Sequence, residues 1–571
     1  MLETTRSLVD DLIEQELTRH LSEIESADTA LYLGEFVDSC YSQGKISLGE
    51  DLRPGLDILM PKILQSPSKK HAGDTKLLLK KIARACVFAG HYWSIRDLIY
   101  YSYAFPNSIA WTRDNDCIAI EVKDASIFRQ IIAERWGFVL NSMTTFGEGG
   151  YQNIIDRLRG TKNWDISNPV LGEVLDDITK EVQTKIEFFF SYMPRDSTTD
   201  IGGFSYKDFM AVYESMLYIS LYERYYSMSN LVSSTITYEE NGLAEQLSKQ
   251  TQVGRMVVKK ILRDIASSSR GTFNYSATES KYYLLPFSFS LKDGVGAVLK
   301  QHAQRDSDSF SAGCGIVIGN SLVKKVASYF TQFRNFRVLT EVSLNKLDEL
   351  LPDLDVVAVS YEPSLGFHFF IGEIKNTLPA TWAKDYLKSA GGKGFMEKAL
   401  SQISRLNLFF STETGQYFLK DLATGLFNGL DQKKLFPTGF CVVIDFLIVT
   451  SQSVGICYPD MSLTVINDTL LREIVCKSDG DVNFMQYYLR SLNELLDGMM
   501  SKEKVEFSID KFLLRTDACG IKQFFTIPQH QYLSIGELEN LEQESLNTGY
   551  RFIDEDFQQY LADKQKNTGD L

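Results

Sequence analysis

The chain has 571 residues, is 44% hydrophobic and 23% charged, and carries a net charge of −15. At about 150 residues per domain, this length implies roughly three or four domains of ordinary globular composition. The acidic balance excludes a generic polyanion binder, because non-specific nucleic-acid affinity comes from Lys and Arg at phosphates. A local basic groove stays compatible with it.

The eight cysteines are scattered, with no CxxC pair and no Cys/His cluster. They read as reduced thiols of a cytoplasmic protein, without a zinc site. The opening MLETTRSLVDDLIEQELTRHL is charged throughout and is no signal peptide. No apolar run approaches about 18 residues, so no membrane span is expected.

Residues 1–105 read as a helical region. Leu8, Leu12, Ile13, Leu17 and Leu21 recur at helical spacing. The stretch from Gly44 to Pro67 holds three prolines and reads as a turn-rich interruption. Leu77 to Ala89 resumes the helix. His91, Tyr92 and Trp93 read as packing residues.

Residues 106–310 form a mixed, mainly helical region. IAWTRDNDCIAIEVKD predicts a surface hairpin turning at Arg113 to Asp116. Its Glu121-Val122-Lys123 follows Asp116 too closely for the acids to sit on separate strands. Residues 170–235 are helical, with an aromatic stripe that reads as core or interface rather than a base-stacking platform. Arg255 to Arg270 predicts a basic, solvated helix, with a nucleic-acid arm as the minority reading. Gln301 to Ser311 is the expected linker.

Residues 315–450 alternate as α-β-β-β-α-β. A helix within Ile316–Phe333 precedes strands at Arg337–Val342, Asp355–Ser360 and His368–Ile374. A helix from Phe395 to Phe410 and a strand from Phe440 to Val449 follow. Residues 451–571 form a mixed region. It has a short strand SLTVI, a helix from Phe484 to Met500, a strand at Val505–Leu514 and an acidic helical tail with a frayed end. The fold class expected is multidomain α+β, with a helical N-terminal half.

The chemistry concentrates around two adjacent strands. Asp355 opens DVVAV, and an acid at the mouth of a buried strand is costly unless it binds something. Glu373 and Lys375 lie two apart on HFFIGEIK and so share a face. A turn containing Pro363 and Gly366 pairs the strands, which lets Asp355 and Glu373 converge at one edge. Two carboxylates offering only oxygen suit Mg²⁺ or Mn²⁺. Such a site fits phosphodiester hydrolysis, with Lys375 orienting the attacking water or offsetting negative charge. Asp353 competes with Asp355 for the role of first acid. His368 faces away and reads as structural. Lys384, Lys388, Lys393 and Lys398 read as a helix exterior lying where a phosphate backbone would pass. Gly391-Gly392-Lys393-Gly394 reads as a loop, with presentation of N–H groups to a phosphate as the sharper alternative.

These residues resemble the PD-(D/E)XK, or restriction-endonuclease-like, nuclease superfamily, over about residues 315–450 only. The resemblance rests on Pro352-Asp353 or Asp355, on Glu373-Ile374-Lys375 and on the element order. It implies that Asp355, Glu373 and the Ile374 carbonyl bind the metal, that Lys375 is catalytic, and that Gln402 stands beside the site. Many members carry a Glu on the first helix; here that helix has none, and Glu341 on the first strand is the substitute. The function implied is a Mg²⁺-dependent endonuclease acting on DNA more than RNA, by analogy in prokaryotic anti-phage defence or restriction. A homo-oligomer, a dimer for duplex cutting, and a partner protein or trigger are expected. The alternatives are an inactive nucleic-acid-binding or scaffold member of the fold, and a helical interaction module with an accidental Glu-x-Lys.

Overall fold

A computed structural model describes residues 2–24, 29–65, 74–142, 150–164, 168–268, 271–362, 366–379, 384–390, 394–428, 440–458, 463–523 and 525–552. The expected turn at 363–365, residues 391–393 of the Gly-rich loop, Pro67 and the tail beyond 552 lie outside the described residues.

The chain opens with helices Leu2–Ile24, Thr29–Ser42, Ile46–Gln65 and Thr75–Ala104. Val9, Leu12, Ile13, Leu17, Leu21 and Ile24 form the buried face of the first. Asp74 caps the fourth by accepting from the Lys76 amide. The third corrects the turn-rich reading of Gly44 to Pro67, since Pro54 and Pro61 sit inside it. An interior proline costs about 3 kcal/mol. Burying Leu52, Leu56, Leu59, Met60 and Ile63 on one face outweighs it, at about 1.5–3 kcal/mol per side chain. The third and fourth helices meet closely: a Cβ added to Gly55 would lie 2.7 Å from Cys86 Sγ.

The hairpin forms as β1 (Ile109–Asp114) and β2 (Cys117–Val122). It is not a simple surface hairpin, because β2 is an inner strand. The sheet order is β1-β2-β12-β11, with β11 at Met500–Ile509 and β12 at Phe512–Ile521. Ile118, Ile120 and Val122 face the core, while exposed Glu121 pairs with Lys123. Such a pair is worth little.

In the middle region, helices Pro169–Phe188 and Tyr206–Asn230 form a core with Tyr206, Phe209, Tyr213, Tyr222 and Tyr225 buried. The aromatic stripe is therefore packing. Helix Arg255–Ser268 buries Val258, Ile261, Leu262 and Ile265, and its Arg263 lies 3.5 Å over the Tyr275 ring. A small antiparallel sheet of β3 (Ile236–Glu239), β4 (Phe273–Ser276) and β5 (Lys281–Leu284) completes the region. The expected linker at Gln301 to Ser311 is helical instead. Helix Gly294–Arg305, the turn Ser307–Phe310, a π turn at Ser311–Gly315 and helix Ile316–Thr331 follow one another directly. Within 301–311 His302 is buried, while residues 304–309 and 311 are exposed, so the stretch is helical yet lies largely at the surface.

The central sheet runs β10-β9-β8-β7-β6. Its strands are β6 (Phe336–Val342), β7 (Leu354–Glu362), β8 (Gly366–Lys375), β9 (Phe440–Thr450) and β10 (Thr464–Asn467). β6, β7 and β8 are antiparallel, β9 is parallel to β8, and β13 (Gly549–Phe552) also pairs with β9. Alternation sorts the side chains by face. Val356, Ala358 and Phe370 join Leu322, Val326 and Phe330 of helix Ile316–Thr331. Val357, Val359, Phe369 and Ile371 join Leu406, Phe410 and Leu419 of helices Phe395–Phe410 and Glu413–Leu426. The first of these cores also takes in the N-terminal helices and the 465–514 segment. The protein is thus a mixed α and β structure. Among the described residues, no helix is long and apolar enough to cross a membrane.

Candidate metal-dependent site at the end of the central sheet

The β7/β8 ladder runs from Glu362↔Gly366 to Val356↔Gly372. One more step would set Asp355 opposite Glu373, on the same face of the sheet. The ladder opens there, and the Asp355 carboxylate takes over: its Oδ2 accepts from the Ile374 amide at 2.7 Å. Lys375 donates to Glu373 and also to Gln402 Oε1, the latter at 3.2 Å. Asp355, Glu373 and Lys375, singled out by spacing, and Gln402, singled out by the resemblance, are thereby gathered at one sheet end, with Ile374 in the strand between. Gln402 reaches in from helix Phe395–Phe410, which packs on this face through Leu406 and Phe410.

Glu373 is only 4% exposed, and Asp355 is partly buried. Burial is the main reason Glu373 is shifted up; the charge of Asp355 adds to it and Lys375 opposes it. Asp355 is likewise shifted up by burial, against the Ile374 amide and Lys375, with Glu341 and Asp353 adding negative charge. Two carboxyls that resist ionising together form a sink for a cation. Asp353 lies outside β7 and is exposed, so the strand mouth belongs to Asp355.

Glu341 adds a feature that spacing did not reveal. The β6/β7 register passes from Thr340↔Val356 to Val342↔Leu354, skipping Glu341 and Asp355. Glu341 has φ +54, a left-handed conformation that costs a non-glycine residue energy. No residue is inserted on either strand, so the register is kept while the Glu341/Asp355 pair is left open beside the site.

His368 points to the other face, as alternation requires. It bonds Asp445 Oδ2 at 2.6 Å; Arg490 donates to Asp445 Oδ1 at 3.0 Å and Gln486 to Oδ2 at 3.1 Å. Burial would raise the Asp445 carboxyl, but His368 and Arg490 hold it below its ordinary value. The network is buried and structural, and β9 gave no local sign of it.

Among the described residues, no group of three or more His, Cys, Asp or Glu side chains is placed to hold a metal. The available donors are Asp355, Glu373 and the Ile374 carbonyl. Oxygen donors with one or two carboxylates fit Mg²⁺, which keeps several waters and takes substrate oxygens as further ligands. Lys398 is exposed one helical turn before Gln402. Comparison with protein families, with curated proteins and with solved structures finds no match.

Proposed function

We propose that the chain is a metal-dependent nuclease that hydrolyses phosphodiester bonds at the Asp355–Glu373–Lys375 end of a restriction-endonuclease-like core. The observation that carries this reading is the convergence of the two buried carboxylates with Lys375 and Gln402 where the β7/β8 ladder opens. Asp355, Glu373 and the Ile374 carbonyl would hold Mg²⁺ or Mn²⁺. Bound there, the ion would polarise a phosphoryl oxygen and make bound water acidic.

The chain's own groups have defined parts. The Ile374 amide fixes the Asp355 carboxylate in place. Gln402 and Glu373 hold the Lys375 ammonium at the sheet end, where it orients water and offsets charge developing on the phosphoryl group. Lys398 contributes to docking the phosphate backbone. DNA is the substrate proposed ahead of RNA, and cutting both strands calls for a dimer.

The test is a cleavage assay on duplex DNA, single-stranded DNA and RNA, with Mg²⁺, Mn²⁺ or EDTA, beside Glu373→Ala and Lys375→Ala. Metal-dependent cutting that both folded variants lose is the expected result. Cutting that survives both places the activity elsewhere.

One observation favours a second reading, a non-catalytic nucleic-acid-binding member of the fold. Glu373 is almost fully buried and already paired with Lys375, an arrangement complete without a metal. Nucleic-acid binding with neither cutting nor Mn²⁺ binding in calorimetry would select it.

A further inference from the structure

Behind the strand end that carries Lys375 lies a cavity of about 670 Å³, in the size range of small-molecule sites. Its wall is built by four parts of the chain: the Ile46–Gln65 and Thr75–Ala104 helices, the middle region at Tyr192 and Asp293, the ends of β8 and β9 at Asn376 and Gln452, and the β11/β12 hairpin. None of the groups assigned above to phosphodiester chemistry lines it.

The charge of the wall indicates what it takes. The four Lys and Arg side chains of the lining are already ion-paired: Arg53 with Glu50 and Asp57, Arg135 with Asp51, Lys292 with Glu50, and Lys325 with Asp468. Three lining carboxylates, Asp293, Glu503 and Asp517, have no Lys or Arg within ion-pair distance among the described residues. Asp293 is held by the Tyr192 hydroxyl and the Gly296 amide, and Tyr192 in turn accepts from Gln452 at 2.6 Å. Its carboxylate is thereby fixed in the wall. The aromatic rings of the wall already take cations on their faces. Lys292 Nζ sits 4.2 Å over Phe138, and Arg472 lies 3.6 Å over Phe188.

An anionic ligand would meet excess negative charge here, with every lining Lys and Arg engaged. A ligand rich in N–H donors and positive charge would meet carboxylates that have no Lys or Arg partner among the described residues. We propose that this cavity is a binding site for a small organic polyamine, with Asp293 as its principal anchor. The proposal is independent of the nuclease reading, because binding alone tests it.

The experiment is calorimetry of the full chain with spermidine, with uncharged 1,8-octanediol as control. It is repeated on Asp293→Asn, which can still cap the Gly294–Arg305 helix, and on Ala297→Phe, which fills cavity space while leaving every carboxylate in the chain. Thermal melting checks that both variants fold. Expected are one spermidine per chain, no binding of the diol, affinity lowered about tenfold or more in Asp293→Asn and binding lost in Ala297→Phe. Absence of spermidine binding to the wild type overturns the proposal. So does binding of equal strength in both variants, which would place the polyamine on the acidic outer surface.

Discussion

Burial and the charge of Asp355 both push the Glu373 carboxyl up, and burial does the same to Asp355. Folding thus favours the protonated form of each. Their contribution to stability is full below the ordinary carboxylate pKa and is lost as pH rises through the raised values. Metal affinity runs the other way, because the ligands must be deprotonated. Mg²⁺ is therefore expected to raise the melting temperature of the wild type, by more as pH increases from about 5 to about 8, and to leave Glu373→Gln unmoved. An equal effect on Glu373→Gln would put the ion at another place. Lys375→Ala is expected to lower kcat by about 10²–10³ while calorimetry still detects metal, because the ammonium acts on phosphate and water rather than as a ligand. These residues were legible because period-two alternation and a following helix leave a local imprint. The left-handed backbone of Glu341 was not, because no feature of its own side chain announces it.

At the scale of elements, reading went wrong where packing overrode a local signal. Pro54 and Pro61 mark turns by propensity, yet the helix persists because its apolar face is covered. The close contact of Gly55 with Cys86 is part of that cover. Gly55→Val is expected to destabilise the fold by about 1–3 kcal/mol, measured by urea unfolding; no loss would show that the two helices are not so close. On the central sheet, Asp445 ties β8 and β9 to helix Val482–Arg490. Removing it leaves the buried His368 without its carboxylate and breaks the Arg490 pair, so Asp445→Ala is expected to cost about 3–5 kcal/mol. Since the Asp445 carboxyl is held low, the stability it contributes is present above its ordinary value and lost as pH falls through the lowered one. A wild-type acid-unfolding limb that persists unchanged in Asp445→Ala would exclude this group as its source.

Across the whole molecule, contacts distant in sequence join the parts, and these left no trace in local patterns. Residues 117–120 pair with 513–516 in one sheet, a partnership no window of sequence displays. Buried Asp38 accepts from the Phe287 and Ser288 amides and the Ser288 and Ser234 hydroxyls, clamping the N-terminal helices to the middle region. Net charge acts at this scale too: with −15 overall, the nucleic-acid binding proposed above would depend on a few local cations and weaken with salt. Lys398→Ala is expected to reduce the salt slope of DNA binding by about one; an unchanged slope would take Lys398 off the phosphate path. The run from Gly294 to Thr331, whose stretch Gln301 to Ser311 was the expected linker, is a chain of helical segments. Its first helix is seated in the middle region, and in the first turn of the last the Ile318 carbonyl accepts from Asn376 Nδ2 at 2.9 Å, one residue beyond Lys375. Helix Ile316–Thr331, whose Ile318 also sits in the middle region's core, thus ties that core to the strand end that carries Lys375.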